Sequence, residues 1–271
     1  MAVTAQWIMD KMEAWAPKAW AVESDNVGLL IGDKDRAVGR VLTTLEVSEG
    51  VLKEAVQGRF DFIVAHHPLI SRHVQPIQGI TTDNALGKKI MTLIGNGIGL
   101  YCAHTNLDAA EGGVNDLLFD KLDLKNKEWL IPPVGDVPTM GRIGYFPYTI
   151  GLSEFARHVG ECLELSHTRY VGSPYKMVMK VGLCAGNGTS LVKDALAKKC
   201  DVYITGDLHH HLALDTLEAG MAMVDGTHYA TEVLAAEAIA ARLRQEAEKE
   251  GQALIVESAQ NDGTVFRVYS Q

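Results

Sequence analysis

Cysteine is scarce here and never paired in sequence. Cys102, Cys162, Cys184 and Cys200 form no CxxC spacing. That argues against a disulfide framework and a cysteine-rich zinc ribbon, and it fits a reducing cytoplasm. No stretch approaches the roughly 18 uncharged apolar residues of a transmembrane helix, so no membrane span is expected. The opening MAVTAQWIMDKMEAW has no basic region ahead of an apolar run, so no signal peptide is expected. Basic residues are also outnumbered, 25 against 34 acidic, leaving a net charge of −9. With no Lys/Arg cluster to reverse that field locally, nucleic acid is not an expected partner. A GxxxxGK[ST] loop for triphosphate is missing too.

What is present is globular composition, with 47% hydrophobic and 22% charged residues in 271 positions. That length suits one large α/β unit or two medium lobes. Ten histidines stand out by where they fall. So does an internal match at an offset of 140 residues: VLTTLEVSEGVLKEAVQGRFDFIVAHH at 41–67 against VGLCAGNGTSLVKDALAKKCDVYITGD at 181–207. Each copy reads apolar run, turn, helix, apolar run. That is a strand–helix–strand unit, and the unbroken apolar FIVA and VYIT suit parallel strands covered on both faces. Asp61 and Asp201 are placed to end a tight turn before the second strand. An α/β fold with two similar lobes built by duplication follows, the first over 1–125 and the second over 126–271. The proline-bearing segment Lys125–Pro138 is the expected junction.

Around the repeats, the periodicity predicts helices at Thr4–Trp15, Thr82–Ile94, Ser153–Leu163, Ser190–Lys198, His210–Glu218 and Thr231–Glu250. Further strands are expected at Asn26–Gly32, Gly99–Ala103, Met177–Leu183 and Met221–Val224. Ala253–Glu257 and Val265–Tyr269 read as a closing hairpin turning at NDG, 261–263.

Four polar clusters each follow an apolar strand: HHP at 66–68, HTNLD at 104–108, GDLHHH at 206–211 and HYATE at 228–232. Carboxyl ends of strands are where α/β proteins build sites, and seven of the ten histidines lie in these clusters. His228 and Glu232, four apart at a helix start, share a face. With His66, His67 and Asp108 they make three imidazoles and two carboxylates, donors for a first-row divalent ion. That is too rich a set for one tetrahedral ion that keeps a water; it suits two ions about 3.5–4 Å apart, with Glu232 bridging. A competing reading makes Asp108 a helix cap and Glu232 a first-turn carboxylate favoured by the helix dipole.

The pieces DNVGLLIGD (25–33), IVAHHPL (63–69), HTNLD (104–108), GRIGYF (141–146), DVYITGDLHHH (201–211) and DGTHYATE (225–232) together resemble the GTP cyclohydrolase 1 type 2 homologues, the NIF3-like family. The resemblance implies a NIF3-like fold of two α/β lobes with a dinuclear metal site in the cleft between them. It places the ligands at His66, His67, Asp108, His228 and Glu232, with His104 and His211 lining the pocket. It also implies a homohexamer. The interval between HTNLD and GDLHHH is too short for the domain that longer members insert, so this reads as the short form.

Metal-assisted hydrolysis is then the expected chemistry, with His104 or His211 moving a proton. Asp207 is either an acceptor that orients a liganding imidazole or a helix cap, and Tyr229 is the aromatic nearest the site. Imidazole and carboxylate donors suit zinc, iron, manganese, cobalt or nickel. A phosphoester hydrolase and a non-enzymatic metal scaffold or protein-interaction module are the alternatives. The turn 185–190 is a candidate phosphate cradle, though a tight strand-to-helix turn needs its glycines anyway.

Overall fold

In a computed structural model, residues 2–71, 77 and 79–269 are described, and the loop residue His73 lies outside them. The chain begins β1 (Val3–Thr4), α1 (Ala5–Trp15), β2 (Gly28–Ile31), β3 (Ala37–Val38), β4 (Arg40–Thr44), α2 (Glu49–Gln57) and β5 (Phe62–Ala65). It continues through α3 (Ala85–Gly95), β6 (Gly99–Cys102), α4 (Thr105–Ala109), α5 (Val114–Lys121), β7 (Lys125–Trp129), β8 (Arg142–Gly151) and α6 (Leu152–Cys162). The remainder is β9 (Tyr170–Val171), β10 (Met177–Leu183), α7 (Val192–Ala197), β11 (Val202–Thr205), α8 (His210–Glu218), β12 (Ala222–Asp225), α9 (His228–Glu232), α10 (Leu234–Lys249) and β13 (Ile255–Ser258). No helix among the described residues is long and apolar enough to cross a membrane.

The chain divides into two compact units, at positions other than 125/126. The first comprises 1–107 with 235–263, and the second 108–234 with 264–271. The cause is the C-terminal segment. β13 joins β4 in parallel, Ile255 beside Arg40, instead of folding back as a hairpin. The Thr43 hydroxyl donates to Ala236 O at 2.7 Å, which ties α10 to the same sheet. Residues 265–269 form no strand. Asp262, expected in a hairpin turn, accepts from the Thr44 hydroxyl at 2.7 Å.

The first unit centres on a five-stranded sheet ordered β13-β4-β5-β6-β2, parallel except for β2. α2 starts at Ser48, whose hydroxyl accepts from Val51 N, and turns Val51, Leu52 and Ala55 inward. They pack with Leu42, Ile63, Leu93 and Leu100 as this unit's core. The second unit has a six-stranded sheet ordered β7-β8-β10-β11-β12-β9, with β10, β11 and β12 parallel. Its core holds Ile143, Val192, Tyr203 and Met223 together with Cys184 and Cys200, so those two thiols act as fillers. The expected junction Lys125–Pro138 instead opens with β7, hydrogen-bonded to β8.

The repeat is present at residue level. Val41 sits beside Phe62 in the first sheet, and Val181 beside Val202 in the second, each 140 positions on. Asp61 accepts from Gly39 N and Arg40 N at 2.8 and 2.9 Å, while Asp201 accepts from Met179 N and Lys180 N at 3.0 and 2.8 Å. Arg59 and Lys199, again 140 apart, both take φ near +55° (53° and 55°) where the helix ends. The two aspartates thus clamp the residues just ahead of the parallel pairing, which begins at Val41 and Val181, and do not merely end a turn.

Candidate metal centre

His66 and His67 prolong β5, their amides donating to Thr44 O at the end of β4 and to Leu45 O just after it, at 3.0 and 2.9 Å. Each ring is then held by Nδ1. His66 Nδ1 meets Ala103 O at 2.8 Å, and His67 Nδ1 meets Glu46 Oε1 at 2.6 Å. His104 follows β6 and directs Nδ1 at both oxygens of Asp25, 3.0 Å away. Oxygen acceptors require the proton on Nδ1, so each lone pair is on Nε2. One ring nitrogen from each of the three lies within 4.8 Å of the others, and the ring centroids are 5.1–5.4 Å apart. Burial pushes the Asp25 carboxyl up, but hydrogen bonds from His104 and Thr105 outweigh it and hold it well below the usual carboxylate range. Asp25 therefore stays ionised and fixes the His104 ring.

The second unit has its own set: Asp108, His228 and Glu232. His228 Nδ1 meets Asp207 Oδ2 at 2.7 Å, and its Nε2 meets Glu232 Oε2 at 2.9 Å. The bond to Glu232 works against burial, Asp207 adds to it, and the imidazole is raised to about 9 in the cation-free chain. Asp108 and Glu232 are both buried, with carboxylate oxygens within 4.8 Å of each other. Glu232 closes the short helix α9, which Thr227 caps by accepting from Ala230 N, and α10 begins only at Leu234. The expected single helix from Thr231 is thus broken at Val233, and Glu232 is not a first-turn carboxylate.

Asp207 does not cap α8. His209 occupies that position, and the Asp207 side chain serves His228. His211 lies exposed on the first turn of α8, its ring 5.4 Å from that of His210, and joins no close donor group among the described residues. Tyr229 is half-buried beside His228.

Four amides of the turn 185–190 are already taken. Ala185 N donates to Asn115 Oδ1, Gly186 N to Thr231 Oγ1, Gly188 N to Thr205 Oγ1, and Thr189 N to Asn187 Oδ1. Those donors are not offered to a phosphate. Gly186 has φ +60°, and a Cβ there would come within 1.9 Å of Glu232 Oε1, so the glycine leaves the space that the carboxylate occupies.

Nitrogen and carboxylate donors, with oriented imidazoles and no sulfur among them, fit borderline divalent cations. The Duf34/NIF3 (NGG1p interacting factor 3) profile matches residues 3–262. The chain belongs to that family. A Streptococcus pneumoniae relative called GTP cyclohydrolase 1 type 2 homolog is 35% identical over 252 residues, 91% of this chain and 92% of its own. The Bacillus cereus protein related to NIF3 superposes with a TM-score of 0.92 at 27% identity, over 99% of both chains. A Bacillus subtilis relative, also called GTP cyclohydrolase 1 type 2 homolog, is 28% identical over 338 positions, 86% of this chain and 90% of its own. That exceeds the 271 residues here, so the relative carries an insertion that this Duf34/NIF3 member lacks, as expected of a short form.

Three supporting residues of this Duf34/NIF3 chain carry no local sequence signal of their roles: Asp25, Glu46 and Arg142. Glu46 was readable only as an acidic loop residue. Because β4 and β5 are parallel neighbours, the loops after them lie side by side, and this could have paired Glu46 with His67. Arg142 is 1% exposed. Its Nε donates to Asp116 Oδ1 at 2.5 Å, and its remaining nitrogens to Thr139, Gly141, Ala109 and Ala110 carbonyls at 2.9–3.4 Å. The Trp129 ring covers the guanidinium at 3.7 Å. Asn115 Nδ2 donates to Asp108 O at 2.9 Å. Arg142 and Asn115 thereby pin the backbone that presents Asp108.

Proposed function

We propose that this chain is a hydrolase dependent on two divalent cations held by His66, His67, Asp108, His228 and Glu232, with Glu232 bridging. The observation that supports it best is the common wiring of the imidazoles. His66, His67, His104 and His228 each give Nδ1 to an oxygen acceptor, the arrangement that orients a liganding or proton-carrying Nε2. When bound, a cation pair acidifies a coordinated water toward neutrality and stabilises negative charge developing on the substrate. His104, whose Nδ1 proton Asp25 retains, takes and returns a proton at Nε2. Glu46 orients His67, Asp207 orients His228, and Tyr229 packs beside the reacting group. His211 is the outer candidate for proton transfer.

The name shared by the relatives points to a purine nucleotide as substrate, opened at its imidazole ring. Phosphoesters are the other class that two cations serve, by clamping the attacking and leaving oxygens. In either case the amides of Ala185, Gly186, Gly188 and Thr189, already hydrogen-bonded, do not make the phosphate cradle. Zinc, iron, manganese, cobalt and nickel all suit the donors. The working form is proposed as a cytoplasmic homohexamer, which light scattering on the purified chain would read directly.

The test is metal analysis of the purified chain with turnover measured across nucleotides and phosphoesters. About two cations per chain are expected, as a dinuclear centre requires, with turnover abolished in Glu232→Gln. Two cations without turnover on any substrate would reject the hydrolase in favour of a metal-binding scaffold. Substoichiometric metal after saturation with each candidate ion would reject both.

A further inference from the structure

Away from these donors, the second unit holds one other close group of metal-ligating side chains among the described residues: Asp123, His158 and Cys162. His158 and Cys162 are four apart on α6 and so share one face. Asp123 follows the end of α5 at φ 54°, a left-handed turn that brings its carboxylate to the same place. One donor atom from each lies within 4.8 Å of the other two.

The spacing is within a few tenths of an ångström of what a tetrahedral cation needs. Cys162 Sγ is 3.5 Å from His158 Nε2 and 4.0 Å from Nδ1. Zinc–sulfur and zinc–nitrogen bonds of about 2.3 and 2.0–2.1 Å at a tetrahedral angle put sulfur and nitrogen about 3.6 Å apart, so a cation would draw Nδ1 and the thiol together by about 0.4 Å. The imidazole is already fixed. Leu122 O lies 3.2 Å from Nε2, Phe146 meets the ring edge-on with centroids 4.9 Å apart, and Phe155 stacks at 6.4 Å. A carbonyl only accepts, so Nε2 carries the proton and Nδ1 keeps the lone pair for a cation. Such an acceptor on the far nitrogen is what orients a metal-bound histidine.

We propose that Asp123, His158 and Cys162 form a second divalent-cation site, of the mixed thiolate, imidazole and carboxylate kind that zinc favours, with water completing the tetrahedron. Burial, and then the Asp123 carboxylate, raise the proton affinity of the Cys162 thiol. On binding, the cation takes the place of that proton, which passes to solvent, and its charge offsets the repulsion between thiolate and carboxylate. The site joins the end of α5 to the last turn of α6 and stands apart from the hydrolase reading, whose five ligands include no sulfur.

Cobalt(II) titrated into the full chain tests it, because thiolate ligation gives a near-ultraviolet charge-transfer band that nitrogen and oxygen ligands do not. The band is expected to saturate at one thiolate-bound cobalt per chain, whatever cobalt the five other ligands take up, and zinc(II) to erase it. Cys162→Ser should abolish it. Asp123→Ala, an exposed change that leaves the core intact, should weaken cobalt binding by about tenfold or more. Cys184→Ser should leave the band unchanged. Absence of a thiolate band, its persistence in Cys162→Ser, or its loss in Cys184→Ser alone would overturn the proposal.

Discussion

Asp116 shows how much a single carboxylate can hold. Arg142 and Lys127 both reach it, Lys127 at 2.7 Å, and its side chain is 3% exposed. Burial pushes its carboxyl up, but Lys127 and then Arg142 outweigh that and keep it below the ordinary carboxylate range. A depressed folded-state value means that the stabilisation is complete above the ordinary range and fades as pH falls through and below it. Asp116→Asn should therefore cost roughly 3–5 kcal/mol at neutral pH by leaving Arg142 buried without its counter-charge. Urea midpoints across pH should also show a shallower acid decline than in the parent. Asp207→Asn keeps the shape but weakens the hold on the His228 ring, and should lower divalent-metal affinity by about 10–100-fold in a competition titration. The imidazoles and carboxylates of the candidate centre were readable from sequence because each follows an apolar strand. Asp25, Glu46 and Arg142 were not, since their roles depend on which loops become neighbours and no local pattern records that.

Among the elements, the Asp61 and Asp201 clamps make a paired test. Each carboxylate receives two backbone amides from just ahead of a parallel-paired stretch, so Asp61→Ala and Asp201→Ala should each cost about 1.5–3 kcal/mol by denaturant unfolding. Near-equal losses would support equivalence of the two copies, and a loss in only one would break it. The repeated strand–helix–strand units were legible at their full length because period and turn residues agree in both. β10 and β11 were located from apolar runs alone. β8 is not legible in the sequence, because RIGYFPYTIG mixes buried and exposed positions without strict alternation. The break between α9 and α10 was also hidden: Val233 and Leu234 continue the apolar pattern, and the Thr227 cap is visible only once β12 is seen to end at Asp225.

For the whole molecule, the sequence suggested two lobes in series, and the chain is instead threaded from the first unit to the second and back at 234/235. Apolar patterning identifies Ile255–Ser258 as a strand but cannot say that its partner is β4, more than 200 residues earlier. Stitching of this kind has a consequence for vectorial synthesis. A ribosome releases the bulk of the second unit, 108–234, before it has made the edge strand and helix that complete the first, so the later-coded unit can become protease-resistant first. Pulse proteolysis of arrested nascent chains that end near residue 240 and expose it beyond the exit tunnel should protect 108–234 while 1–107 is still cleaved. Equal protection of both at that length would show that the amino-terminal segment needs no help from the tail.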